Sequence, residues 1–184
     1  NGTTVEHIRE AAAVMGEYCD ILGLRSFPSL KDKEADYNED LFNKFIKFCG
    51  VPVVSLESAT RHPLQSLTDL ITITEYKSIA KPKVVLAWAP HVKALPQAVP
   101  NSFAEWMSKA QAQGLVDFTV AHPAGYELAE EFTEGATITN NLDEALANAD
   151  FVYVKNWSSY KEYGQVYPVS ENWMMDNAKL GLTN

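Results

Sequence analysis

Short apolar runs alternate with longer runs of helical periodicity along the chain, and this alternation restricts the possible folds more than any other feature. The apolar runs predict buried strands at 18–24, 51–55, 83–88, 116–121, 137–139 and 151–154. The runs with helical spacing predict helices at 5–16, 38–49, 64–77, 101–113, 126–132 and 142–148. Strands that alternate with helices imply parallel sheets joined by right-handed crossovers. We therefore expect an α/β protein with parallel sheets.

The pattern is interrupted at Lys81-Pro82, where a proline ends the preceding helix, and it restarts with the strand at 83–88. This break predicts two α/β lobes, covering residues 1–80 and 81–184. The second lobe has the alternation of a doubly wound nucleotide-binding domain. However, the loop at 89–99 contains no glycine, which argues against a dinucleotide-binding fingerprint.

The composition excludes several classes of function. A net charge of -9 argues against nucleic acid as the main partner and against an anionic membrane surface. No apolar run approaches the roughly 20 residues that span a bilayer. Cys19 and Cys49 lack metal-ligand spacing, so we expect two buried free thiols in a reducing compartment. The protein is expected to be cytoplasmic.

One segment, His62-Pro63-Leu64-Gln65, carries side chains suited to a small anionic ligand. It lies between a predicted strand and a predicted helix, where unpaired backbone N–H groups favour an anion. Pro63 fits the first turn of a helix. His62 can donate to a carbonyl or phosphate oxygen, and the Gln65 amide offers a donor and an acceptor to a carbamoyl group. The alternative is an ordinary helix start with a solvated histidine.

Residues 62–70, His-Pro-Leu-Gln-Ser-Leu-Thr-Asp-Leu, resemble the carbamoyl-phosphate motif of the aspartate/ornithine carbamoyltransferase superfamily. Three further segments resemble family segments that occur in the same order along the chain: residues 20–27, residues 88–91 together with 95–102, and residues 149–157. The second and third of these segments resemble the N-acylornithine branch of the family. The resemblance covers nearly the whole chain.

The resemblance implies a carbamoyltransferase-like fold seen as an internal fragment. Residues 1–80 would be the C-terminal part of the carbamoyl-phosphate-binding domain, and residues 81–184 the N-terminal part of the acylornithine-binding domain. Thr3 and Glu6 resemble a helix cap in mid-protein. The family's Ser-x-Arg-Thr-Arg and His-Cys-Leu-Pro loops are expected upstream and downstream of this sequence. The family further implies a homotrimer with active sites at subunit interfaces and a role in arginine biosynthesis.

Three residues are expected to act on carbamoyl phosphate. Arg25 ends a predicted strand, and its forked guanidinium suits phosphate. By resemblance, Arg25 holds the phosphate, His62 polarises the carbonyl oxygen and Gln65 orients the carbamoyl NH2. The δ-amine of the substrate would attack the carbonyl carbon, and phosphate would leave. Such catalysis rests on positioning and electrostatics, so we expect no metal and no organic cofactor. The alternative for Arg25 is a surface salt bridge.

Three other residues, Glu57, His91 and Lys155, each follow a predicted strand and by resemblance face the amino-acid substrate. The alternatives are a surface lysine at Lys155 and a solvated loop histidine at His91. By resemblance, enzymes acting on free ornithine carry an Asp and a Ser-Met-Gly after this strand, where this chain has Lys155-Asn-Trp-Ser-Ser159. A lysine would repel a free α-ammonium but not an acylated nitrogen. Trp157 and Tyr160 are candidates to wall the acyl group or to join the core.

The substrate is therefore expected to be an N-acylornithine, with N-succinylornithine favoured. N-Acetylornithine remains an alternative, because in the family the residues that select the acyl group lie on a loop upstream of Asn1. Ornithine is kept as a further alternative substrate. A hypothesis from another functional class also stays open, in which this fragment is a non-catalytic α/β ligand-binding module.

Overall fold

The computed structural model describes residues 8–169 and 172–184, in which eight helices and six strands are formed. In chain order they are α1 (Ile8–Gly16), β1 (Leu22–Arg25), α2 (Lys33–Tyr37), α3 (Asp40–Cys49), β2 (Val53–Glu57), α4 (Pro63–Tyr76), β3 (Lys83–Trp88), α5 (Ala98–Ala112), β4 (Asp117–Ala121), α6 (Glu130–Thr133), β5 (Thr137–Thr139), α7 (Leu142–Leu146), β6 (Phe151–Lys155) and α8 (Asn177–Leu180). The predicted helix cap at Thr3 and Glu6 lies outside the described residues.

The first sheet consists of β1 and β2, which pair in parallel. The register shifts after Leu24, so that Arg25 lies opposite Glu57 and the last residues of both strands face each other. Helices α1 and α3 pack beside this sheet around a small apolar cluster that includes Leu22 and Phe45. Gly16 ends α1 directly against Cys49, where a Cβ atom would lie 1.7 Å from the Cys49 carbonyl oxygen.

The second sheet has the strand order β5-β4-β3-β6, and every neighbouring pair is parallel. The predicted α/β class with two parallel sheets is therefore confirmed. The central strand β3 is buried from Val84 to Trp88 because it is covered on both faces, as expected for a parallel sheet. Its register with β6 brings Trp88 opposite Lys155 at the carboxyl end of the sheet.

Helices α4 and α5 pack against each other between the two sheets. The Asn101 side chain donates to the Thr60 carbonyl at 3.2 Å, and the His62 N–H donates to the Ser102 hydroxyl at 2.7 Å. Because the first turns of α5 follow the carboxyl end of β3, these bonds join the carboxyl ends of the two sheets. Open α/β sheets bind ligands at this edge.

Some local predictions were wrong in their bounds. The strand predicted at 18–24 begins only at Leu22, where pairing with Val53 starts, and Tyr18 is 84% exposed. The segment between the predicted strand at 18–24 and the predicted helix at 38–49 contains α2, whose first turn is capped by the Asp32 carboxylate. Cys49 is buried as predicted, but Cys19 is exposed, since it precedes the strand rather than lying in it.

Other differences arise from tertiary packing. The helix predicted at 126–132 is only α6, because Tyr126 buries its ring in the core from an irregular segment and donates its hydroxyl to the Tyr167 carbonyl at 3.1 Å. Helix α5 begins three residues earlier than predicted. Pro100 is tolerated there because the first helical turn lacks N–H partners in any case. On α3, Phe45 is buried, whereas Leu41 is exposed.

Candidate active site

Three charged or ionisable side chains meet beyond the carboxyl ends of β1 and β2. Arg25 donates through Nε and Nη2 to Glu57 Oε2, at 2.9 and 2.7 Å. His62 Nε2 lies 3.9 Å from the same oxygen. The Glu57 side chain is only 6% exposed, whereas that of Arg25 is 56% exposed. A buried carboxylate thus anchors one edge of an open guanidinium and lies close to the imidazole ring of His62.

The ion pair between Arg25 and Glu57 was not predicted from the sequence. The sequence analysis predicted that Arg25 binds the phosphate and that Glu57 faces the amino-acid substrate. The salt-bridge alternative for Arg25 is observed, and it leaves part of the guanidinium available. An arginine has five N–H donors, and Glu57 takes two of them. The Arg25 guanidinium also stacks over the Phe27 ring, at 4.6 Å from its centre, which restricts its rotation.

His62 is held as the residue that precedes α4. Its backbone N–H is bonded to Ser102, and Pro63 follows at the first helical position, as predicted. The ring nitrogen Nδ1 is buried and has no hydrogen-bond partner among the described residues. Buried polar atoms nearly always have a partner, so the unpartnered ring nitrogen of His62 is a candidate contact for a ligand oxygen.

The loop that carries His62 is clamped by Glu39, a residue that the sequence analysis missed. The Glu39 carboxylate accepts hydrogen bonds from the Ser58 hydroxyl at 2.6 Å, from the Thr60 hydroxyl at 2.5 Å and from the Thr60 N–H at 2.9 Å. It also lies 3.4 Å from the Ala59 N–H. Glu39 itself has a left-handed backbone with φ of 55°, a costly conformation that the surrounding bonds maintain.

We expect Glu39→Ala to lower the free energy of unfolding by about 1–3 kcal/mol, because buried loop donors would lose their acceptor. Equilibrium urea denaturation measures this change. Glu34→Ala, which removes an exposed carboxylate from α2, is the matched control and should change stability by less than about 0.5 kcal/mol. Equal effects of the two substitutions would contradict the clamp.

His91 and Lys155 lie at the carboxyl end of the second sheet. The Lys155 carbonyl accepts the Ala89 N–H at 3.0 Å, so the two segments that carry these residues are joined. His91 is exposed, and its Nδ1 accepts the Lys93 N–H at 3.1 Å, which orients the ring. Among the described residues, no hydrogen bond or ion pair links His91 or Lys155 to the cluster around Glu57.

Two residues that lie close in sequence to the candidate site residues, Arg61 and Trp157, make contacts within the protein. Arg61 pairs with Glu105 at 3.0 Å and lies over the Phe132 ring. Burial acts to raise the pKa of the Glu105 carboxyl, but hydrogen bonds from Lys109 and Arg61 outweigh it and the pKa lies below its ordinary value. Trp157 is fully buried, which places it in the core rather than in an acyl pocket.

Within the described part of the chain, no three His, Cys, Asp or Glu side chains are grouped as a metal site would require. In the same residues, the helices are too short or too polar to cross a membrane.

The chain has relatives among characterised proteins. Residues 1–75 match the family model described as aspartate/ornithine carbamoyltransferase, carbamoyl-P binding domain. The whole chain is 50% identical to an N-succinylornithine carbamoyltransferase of Bacteroides thetaiotaomicron and covers 57% of that protein. It is 32% identical to an N-acetylornithine carbamoyltransferase of Xanthomonas campestris pv. campestris and covers 59% of it.

Solved structures give the same result. A crystal structure of acetylornithine transcarbamylase complexed with acetylcitrulline matches all of this chain at a TM-score of 0.86 and 31% identity, and the chain covers 60% of that structure. A variant of N-acetyl-L-ornithine transcarbamylase complexed with carbamyl phosphate and N-succinyl-L-norvaline matches at a TM-score of 0.85 and 32% identity. The sequence thus spans about three fifths of these relatives, and it belongs to the aspartate/ornithine carbamoyltransferase family.

Proposed function

We propose that the full-length protein transfers the carbamoyl group of carbamoyl phosphate to the δ-amine of N-succinylornithine. The observation that carries the proposal is the cluster of Arg25, Glu57 and His62 at one sheet edge, in a chain 50% identical to an N-succinylornithine carbamoyltransferase. Residues 1–80 would bind carbamoyl phosphate, and residues 81–184 would bind the acylornithine. The homotrimer, the cytoplasmic location and the role in arginine biosynthesis are predictions from the family.

Arg25 is the proposed phosphate ligand. Glu57 holds one edge of the guanidinium, and the remaining N–H donors and the 56% exposure of the side chain leave room for an anion. A guanidinium donates two parallel hydrogen bonds to phosphate, which makes it more specific than a lysine at this position. The positive charge would also stabilise the phosphate as it departs.

His62 is the proposed donor to the carbonyl oxygen. The lone pair of the neutral δ-amine forms a C–N bond at the carbonyl carbon, and the oxygen becomes negatively charged. The intermediate collapses when the bond from carbon to the phosphate oxygen breaks, and the amine loses a proton. A hydrogen bond from His62 to the oxygen is strongest at the charged stage and therefore lowers the barrier. The second product would be N-succinylcitrulline, which contains the carbamoyl group.

Lys155 is the proposed partner of the substrate's α-carboxylate. It ends β6, and among the described residues its ammonium has no hydrogen bond or ion pair that would keep it from a ligand. A lysine at this place disfavours a free α-ammonium, since like charges repel strongly where water is excluded. An acylated nitrogen carries no charge. Glu57 and His91 remain proposed substrate-binding residues. Because Arg25 bonds to Glu57 Oε2, Glu57 would contact the substrate through Oε1.

N-Acetylornithine is the second candidate substrate. It is favoured by the likeness to N-acetylornithine carbamoyltransferases at 32% identity and to the transcarbamylase structure with acetylcitrulline. N-Acetylornithine ranks second because the chain is more similar to the N-succinylornithine carbamoyltransferase, at 50% identity.

The full-length protein should prefer an N-acylornithine to ornithine by at least about tenfold in kcat/KM, which requires only about 1.4 kcal/mol. Product formation from carbamoyl phosphate is measured with ornithine, N-acetylornithine and N-succinylornithine. Lys155→Ala should weaken acylornithine binding in calorimetry, because the carboxylate loses its partner, with little change in carbamoyl-phosphate affinity.

The exposed Lys161→Ala is the matched control, since it removes the same charge six residues further along the chain. Fastest turnover of free ornithine, or an acylornithine affinity that Lys155→Ala leaves intact, would refute the substrate assignment. Absence of any product from all three amines would refute the carbamoyltransferase proposal itself.

A further inference from the structure

Gln65 and Asp69 lie one turn apart on the same side of α4. Gln65 Nε2 donates a hydrogen bond to Asp69 Oδ1 at 3.0 Å. Residues four apart face each other on a helix, so this contact is built into the local geometry. Among the described residues, the Gln65 acceptor oxygen Oε1 takes part in no hydrogen bond, and it lies at the other end of the amide.

An ionised carboxylate can only accept hydrogen bonds, so it binds the NH2 end of the Gln65 amide and turns the oxygen end away. A carbamoyl group presents an NH2 donor, for which an acceptor oxygen is the matching partner. We propose that Asp69 is a positioning residue that fixes the Gln65 amide with its oxygen toward the carbamoyl NH2. This inference rests on the proposed function, and it adds the device that orients the carbamoyl ligand.

The surroundings of Asp69 give it no other evident role. Its second oxygen, Oδ2, is buried without a partner among the described residues, which is costly for a carboxylate. A cavity of about 140 Å³ beside it is lined mainly by apolar side chains such as Ile73, Val84 and Phe103. Burial raises the pKa of the Asp69 carboxyl above its ordinary value, whereas the Gln65 hydrogen bond and the charge of His62 oppose that rise.

A carboxylate that costs stability at such a place is expected to serve a ligand. Replacing it with an apolar side chain of similar size should therefore not destabilise the protein, and should only release the Gln65 amide. A freed side chain must be immobilised again on binding, at about 0.5–1.5 kcal/mol. Stability and ligand affinity are then expected to change in opposite directions, which a purely structural residue would not produce.

The test is Asp69→Leu in the full-length protein, with carbamoyl-phosphate affinity measured by calorimetry and stability by urea denaturation. We expect the dissociation constant to rise about three- to tenfold while the unfolding midpoint stays equal or rises. Asp69→Asn, which keeps the shape and can present either a donor or an acceptor, should give a smaller loss. Glu75→Gln, at an exposed position of the same helix, removes the same charge and should leave both quantities unchanged.

Loss of a negative charge near an anionic ligand would by itself tighten binding. Tighter or unchanged binding by Asp69→Leu therefore overturns the proposal. In a Gln65→Ala background, Asp69→Leu should have no further effect, because the residue acts through Gln65. An equal loss in both backgrounds also overturns it.

The orientation of the amide can be followed without ligand. The side-chain NH2 resonances of Gln65, assigned through Gln65→Ala, should shift on Asp69→Leu but not on Glu75→Gln. Unchanged resonances in Asp69→Leu overturn the proposal. If the resonances shift in Asp69→Leu but the wild-type protein binds no carbamoyl phosphate, the proposed function is overturned instead.

Discussion

His62→Ala should lower kcat of the full-length protein about 100- to 1,000-fold, which corresponds to about 2.7–4 kcal/mol of transition-state stabilisation. The reason is the loss of the one donor proposed for the developing oxyanion. The backbone bond from His62 to Ser102 does not involve the ring and would remain, so the helix start should keep its structure. Steady-state kinetics with saturating carbamoyl phosphate and N-succinylornithine measure the effect.

Circular dichroism and urea denaturation provide the comparison with folding. Thr68→Ala, at an exposed position of the same helix, is the control and should keep both the rate and the fold. An unchanged rate with a lowered melting temperature for His62→Ala would support the ordinary helix-start interpretation, in which the histidine serves only local structure.

Trp157→Ala should lower the free energy of unfolding by about 3–5 kcal/mol, the usual cost of deleting a fully buried aromatic side chain. Trp157 is fully buried, and its indole N–H donates to the Tyr126 carbonyl at 2.8 Å. Its own carbonyl accepts the Trp88 indole N–H at 2.9 Å, a bond that the substitution spares. For a chain of this size the loss corresponds to about 6–20 °C in melting temperature.

Two controls separate packing from ligand contact. Tyr18→Ala removes an aromatic ring that is mostly exposed and should change stability by less than about 0.5 kcal/mol. Trp157→Phe keeps most of the buried area and should lie between the wild type and Trp157→Ala. If Trp157→Ala left stability intact and lowered only the affinity for an acylornithine, Trp157 would belong to the acyl pocket and not to the core.

The fold class was predictable because burial leaves a recognisable pattern of apolar residues in the sequence of each element. Strand β3 is a continuous apolar run since both of its faces are covered, and that pattern is visible without any partner. Gly50, which ends α3 with φ of 72°, marks the helix end by its own backbone freedom. Pro63 marks the start of α4 in the same local way.

The candidate site was predictable only in part. The sequence placed Arg25, Glu57 and His62 near strand ends, and parallel pairing then brought those ends to one edge. The charge pair between Arg25 and Glu57 depends on the register shift after Leu24, which has no signal in either strand alone. The roles proposed for these residues, and for Gln65, His91 and Lys155, stay predictions that the experiments above address.

Sequence by itself therefore determined the elements and their parallel class, because the patterns of burial, helix ends and turns act over a few neighbouring residues. Tertiary structure alone decided which distant side chains meet. Glu39 clamps a loop about 20 residues further along the chain, and Ser102 bonds to His62 across 40 residues. Such contacts depend on the packing of α4 against α5 and on strand register, and those are properties of the assembled chain rather than of any segment in it.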